Sequence, residues 1–149
     1  MHKKKRVLIV FPGVTGCSGA NYVKEMLKAA HREGYQGVVL NGHFAKDPED
    51  HKADYRVLDF SDSKIIRSSI DKIHECLGED AEIYAVGFSL GANHLLRYLG
   101  AHHHDSGIKA AVSVSNPFDV LATTINLKHR AFGIYDKVIR YKLSKPFAE

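Results

Sequence analysis

The chain has 149 residues, 44% of them hydrophobic and 26% charged, with 21 Lys and Arg against 17 Asp and Glu and a formal net charge of +4. Such a length is one domain's worth on the usual prior of ~100–200 residues, and the composition excludes a disordered tail, a fibre and a collagen-like repeat. No apolar run approaches the ~20 residues of a membrane-spanning helix, and the basic start Met1-His2-Lys3-Lys4-Lys5-Arg6 leads into a run that stops at Phe11-Pro12-Gly13 without a cleavage-type sequence; neither a span nor a secretory signal is expected.

In chain order the reading is strand, helix, strand, helix. Arg6 to Phe11 is a run of β-formers closed by Pro-Gly, the pattern of a strand buried on both faces. Ser18 to Glu33 carries Tyr22, Val23, Met26, Leu27 and Ala30 at helical spacing, ended by Gly34. Gly37 to Asn41 reads as a second strand, and the polar segment from Gly42 to Leu58 as a long loop. Ser61 to Leu77 is a predicted helix with Ile65, Ile66, Ile70, Ile73 and Leu77 on one face, Ser61 as N-cap and Gly78 as terminator. A third strand (Ile83 to Gly87), a helix (Gly91 to Leu99), a fourth strand (Ile108 to Ser115) and two helical stretches (Val120 to Leu127, Ala131 to Leu143) complete the chain. This alternation implies right-handed crossovers and a mostly parallel sheet flanked by helices, an α/β fold.

Charge and cysteine usage narrow the function. The positive charges gather at the two ends (Lys3 to Arg6; Lys137, Arg140, Lys142, Lys145), with no aromatic-interleaved basic stripe and no zinc-finger spacing, so nucleic acid is not an expected partner and the ends read as solvated. Two cysteines, Cys17 and Cys76, do not make a disulfide scaffold and fit a reduced, cytoplasmic setting.

Chemistry enters at Gly87-Phe88-Ser89-Leu90-Gly91, a G-x-S-x-G pattern. The pentapeptide is common; its context, directly after a predicted buried strand and opening a predicted helix, makes it specific. A serine held on so tight a turn projects its hydroxyl at the carboxyl end of the sheet, and the flanking glycines leave room for helix to pack on strand. The positive end of the following helix favours negative charge there. A serine nucleophile also needs an oxyanion hole. The expected donors are the N–H of Leu90 and one from the glycine-rich loop Pro12-Gly13-Val14-Thr15-Gly16, with Val14 first and Thr15 next; Gly13 and Thr15 would line the substrate's approach.

These residues carry a resemblance. Phe11-Pro12-Gly13-Val14-Thr15-Gly16, Asn21-Tyr22-Val23, Gly34-Tyr35 before Val38-Val39-Leu40-Asn41, Gly87 to Asn93, Tyr98-Leu99-Gly100 and Ser115-x-Pro117-Phe118-Asp119, in that order, resemble the YheT-type branch of the α/β-hydrolase superfamily. The resemblance implies part of an eight-strand core and a serine hydrolase of carboxylic esters: short-chain carboxylesterases, monoacylglycerol lipases and phospholipases belong to the family, and many eukaryotic members are membrane-anchored. It implies an ester or acyl-lipid substrate and no cofactor. Ser89 would attack the carbonyl and pass through an acyl-serine. Three departures stand out. Asn41-Gly42-His43-Phe44 replaces the family's N-x-R-G, and Cys17 replaces a usual glycine. The third is the short tail, since the family's acid and histidine follow further strands, whereas 60 residues follow Ser89 (149 − 89).

The chain is therefore expected to be an incomplete α/β-hydrolase domain over 1–149, cut at both ends, with residues 117–149 as a helical cap or insertion. Asp119 and His129 have the triad's order, but helix capping is the plainer role for Asp119. The alternative function is a catalytically incomplete fragment or pseudoenzyme acting at most as an interaction module. Missing outer strands would leave open sheet edges prone to self-association. Simpler roles are also expected for several residues. His94 is read as packing or surface rather than a base, Cys17 as a buried small hydrophobe, and His102 to His104 as a solvated helix end rather than a metal site.

Overall fold

A computed structural model describes residues 4–41, 63–129 and 133–144. The chain divides into two compact units, Met1–Asn116 and Pro117–Glu149. The first contains β1 (Arg6–Phe11), α1 (Asn21–Arg32), β2 (Tyr35–Val39), α2 (Ser63–Leu77), β3 (Glu82–Phe88), α3 (Leu90–His102), a single 3₁₀ turn (His103–Asp105) and β4 (Ile108–Val114). The second contains α4 (Val120–His129) and α5 (Ile134–Ser144), which pack on each other.

The four strands form one parallel sheet in the order β2-β1-β3-β4. β1 and β3 lie in the middle, and their near-continuous apolar sequences match burial on both faces. On one face Val7, Ile9, Phe11, Ile83 and Ala85 meet Ile66, Ile70 and Ile73 of α2 and Leu95 and Tyr98 of α3. On the other, Val10 and Val86 meet Val23 of α1, with Met26 and Leu27 beside them. The predicted helical faces are thus the buried ones. Gly34 and Gly78 end α1 and α2 with φ of 78° and 102°, the left-handed conformation that an L side chain resists.

Boundaries moved where long-range contacts decide them. β2 starts two residues before the predicted Gly37, because Tyr35 pairs with Arg6 in the ladder, lies under its guanidinium (4.4 Å) and meets Tyr84 edge-on. α3 runs on to His102, past Gly100, whose missing side chain faces open space rather than a cap. α1 begins at Asn21, not Ser18, since residues 17–20 form a turn closed by Ala20 N–H to Cys17 O at 2.9 Å. The predicted loop from Gly42 to Leu58 and the Ser61 cap lie outside the described residues. No helix among the described residues is long and apolar enough to cross a membrane.

Candidate active site

Topology selects one place on the sheet. β1 leads to α1 on one face, while its neighbour β3 leads to α3 on the opposite face. Where connections diverge in this way, the carboxyl ends of the two strands bound a crevice, the usual ligand position of an open parallel sheet. The glycine-rich loop after Phe11 and the turn after Phe88 meet there.

Ser89 forms the turn between β3 and α3 in a single residue. Its backbone is at φ 51° and ψ −119°, and the residue is exposed. A non-glycine residue so placed costs about 1–3 kcal/mol and persists only where its surroundings hold it. The Ser89 N–H donates to Val114 O (2.9 Å), and Ser89 O accepts the N–H groups of Ala92 (3.0 Å) and Asn93 (3.2 Å). The flanking glycines are space requirements. A Cβ on Gly87 would lie 2.5 Å from Ala92 Cα, and one on Gly91 would run into the carbonyl oxygens of Phe11 and Pro12. Helix α3 therefore starts in backbone contact with both strands.

The loop after β1 reaches the serine directly. A Cβ on Gly13 would stand 3.2 Å from Ser89 Cβ and 3.9 Å from its Oγ. Residues 13–16 form a turn closed by Gly16 N–H to Gly13 O at 2.8 Å. The residue of this turn with positive φ is Thr15 (65°), not a glycine. Gly13 and Gly16 are needed for close approach instead. Position 16 has room for no side chain beside the Tyr22 hydroxyl and Pro12. Among the described residues, no acceptor pairs with the N–H of Val14 or of Leu90.

The structure thus sets Gly13 against Ser89, with Leu90 next in the chain and Val14 and Thr15 in the same turn as Gly13, all singled out from the sequence. Sequence reasoning missed three participants. The sequence places Tyr22 on a helix face and in the Asn21-Tyr22-Val23 segment of the resemblance, without a role at the site, yet its hydroxyl accepts the Gly13 N–H at 3.1 Å. Asn41, two residues past β2, accepts the Ser18 N–H through Oδ1 (2.8 Å) and so holds the turn at residues 17–20. Ser115, just past β4, is a third non-glycine residue at positive φ (50°) on the carboxyl edge, beside Thr15 and Ser89. A polar aromatic in the first turn of a helix that follows a glycine loop is the available signal for Tyr22; Asn41 and Ser115 stand in segments that carry the resemblance, with no local pattern that gives either a role at the site.

Two of the remaining candidates have structural partners. Asp119 Oδ1 accepts the Ala122 N–H (2.8 Å), the geometry of an N-cap on α4. His102 ends α3 with its ring 4.5 Å from that of Tyr98. Among the described residues no group of three His, Cys, Asp or Glu could hold a metal ion. Tyr98 anchors the far end of α3. It is buried and donates to Ser106 O (2.8 Å), and desolvation raises its pKa. Arg67 of α2 joins Asp71 (3.1 Å) and Asp105 (3.2 Å), and the charge of Asp105, then that of Asp71, raises its pKa. A polar cleft of about 360 Å³ around Arg67, His74 and Gly107 contains none of the residues gathered at Ser89.

A strained serine at a strand-to-helix turn, over a parallel sheet and against a glycine loop from the adjacent strand, defines a class, and comparison with known proteins agrees. The profile for the alpha/beta hydrolase fold matches residues 6–147, and the chain belongs to that family. It is 34% identical over 146 residues to embryogenesis-associated protein EMB8 of Picea glauca, covering 95% of this chain and 31% of that protein. It is 28% identical to the putative esterase YheT of Escherichia coli (93% of this chain, 39% of that protein) and 29% identical to a monoacylglycerol lipase of Saccharomyces cerevisiae (78% and 25%). The chain spans between a quarter and two-fifths of the length of these relatives.

Proposed function

We propose that the carboxyl edge of this sheet is the acylation site of a serine carboxylic-ester hydrolase, acting on short-chain or acylglycerol esters. The observation that carries the reading is the Ser89 turn itself. An exposed hydroxyl sits on strained backbone, with the N–H of Leu90, which no acceptor among the described residues pairs, beside it and the Gly13–Gly16 turn packed on it. Strain of this kind gathers at functional sites, because a turn that only reversed the chain would be cheaper with glycine.

In this reading Ser89 Oγ bonds to the ester carbonyl carbon, and the carbonyl oxygen becomes an oxyanion. The N–H groups of Leu90 and Val14 receive it, and the positive end of the 13-residue helix α3 adds a favourable field. Gly13 and Thr15 line the approach. The serine's proton passes to a general base and on to the departing alkoxide; water then cleaves the acyl-serine and restores the hydroxyl. We assign no residue as that base. The esterase and lipase named among the relatives support the substrate class.

A second reading, a non-catalytic chain serving as an interaction module, has one observation in its favour: Asp119, the acid in triad order after Ser89, is taken up in capping α4. Labelling separates the two. The folded chain is incubated with a fluorophosphonate probe and with a p-nitrophenyl ester, beside Ser89→Ala. The hydrolase reading expects labelling and turnover that vanish in Ser89→Ala; a folded chain that takes up no probe belongs to the second reading.

A further inference from the structure

We infer that Tyr22 is the positioning residue of the oxyanion turn, fixing the glycine loop and the serine turn at one separation through two independent contacts. The inference rests on the hydrolase reading and deepens it. The first contact is polar: the Tyr22 hydroxyl accepts the Gly13 N–H at 3.1 Å. The second is apolar: its ring meets Phe88 edge-on, with centroids 5.0 Å apart and planes at 68°. Phe88 is the residue before Ser89, and Gly13 is the residue packed against Ser89, so one side chain touches both halves of the site.

Three further facts give these contacts a purpose. Gly16 carries no side chain where one would strike the Tyr22 hydroxyl, so the loop is shaped around this group. Thr15 sits at positive φ, so the turn does not hold its conformation by local preference and needs an outside restraint. The bond also sets which amides are used. With Gly13 N–H given to Tyr22 and Gly16 N–H to Gly13 O, the N–H groups of Val14 and Thr15 remain as the turn's candidate donors to a developing charge. Tyr22 stands on the first turn of α1, which is seated by buried Val23 against Val10 and Val86, so the restraint is anchored in the core.

The test uses the full chain with Tyr22→Phe, which removes the hydroxyl alone, and Tyr22→Leu, which removes the ring contact as well. The first readout is hydrogen exchange at the Gly13 amide. Tyr22→Phe is expected to speed it about fivefold, the worth of one net hydrogen bond, with the α1 amides unmoved and the melting temperature lowered by no more than a few degrees. The second is fluorophosphonate labelling of Ser89, separated into its binding and inactivation constants. The inactivation constant is expected to fall about tenfold in Tyr22→Phe and further in Tyr22→Leu, because small displacements at a reacting centre are costly in rate. The probe's binding constant should hold. Unchanged Gly13 exchange in Tyr22→Phe overturns the inference. Faster exchange with an unchanged inactivation constant also overturns it, since Tyr22 would then be structural only. A wild-type chain that is not labelled sinks the hydrolase reading before any variant is made, and Gly13 exchange still decides whether the clamp exists.

Discussion

β3 and β4 are neighbours in one parallel sheet, paired from Tyr84 and Ala110 to Phe88 and Val114, yet they stand in opposite relation to water. In β3 every second residue and then the last three before Phe88 are buried; in β4 the five residues from Lys109 to Ser113 are all exposed, Val112 by 58%. Both are runs of strand-forming residues. β3 lies between two strands with layers on both faces, whereas among the described strands β4 has β3 alone. The difference teaches that side-chain pattern makes a strand, while neighbours decide what it contributes to stability.

The sharpest way to break this comparison is to truncate both strands. Ile83→Ala should cost about 2–5 kcal/mol, because Ile83 is wholly buried and leaves a cavity. Val112→Ala should stay within about 0.5 kcal/mol. Urea unfolding measures both, and equal losses would refute the contrast. Glycines in α3 give a second pair. Gly91→Ala drives a methyl into the carbonyls of Phe11 and Pro12 and should cost about 1–3 kcal/mol. Gly100→Ala meets nothing and should stabilise by about 0.8 kcal/mol through helix propensity. Thermal melts of the two variants should move in opposite directions.

A modest effect, read chiefly in its pH dependence, concerns the buried end of α3. Burial raises the Tyr98 pKa above its ordinary value of about 10, so the folded state favours the protonated phenol. Its contribution is present below that ordinary value and fades as pH climbs through the raised one. Tyr98→Phe should cost about 1 kcal/mol near neutrality, by losing the bond to Ser106 O. It should also flatten the alkaline fall in stability. An alkaline limb of unchanged steepness in the variant would contradict the assignment.

Much of this was legible in the sequence. β1 has the predicted limits, since Pro12-Gly13 closes it from within the chain. The alternating order of strands and helices follows from period alone, and the serine turn from its glycines. What escaped depends on partners distant in the chain. Tyr35 joins β2 because of Arg6 and Tyr84. Gly100 looks like a stop signal but lies inside a helix secured by Tyr98. In the glycine-rich loop it is Thr15 that takes the left-handed angle, as Ser115 does after β4, while Gly13 and Gly16 make room for their neighbours. No propensity scale places a threonine there; only the packed surroundings do.

The hydrogen bond from Ser89 N–H to Val114 O ties the hydroxyl's mount to the strand least sheltered from solvent. The register of that strand is thereby one backbone bond away from the aim of the serine. A segment seated alongside β4 would brace the Ser89 turn from outside the core, like a hand steadying a hinge from the far side of the door.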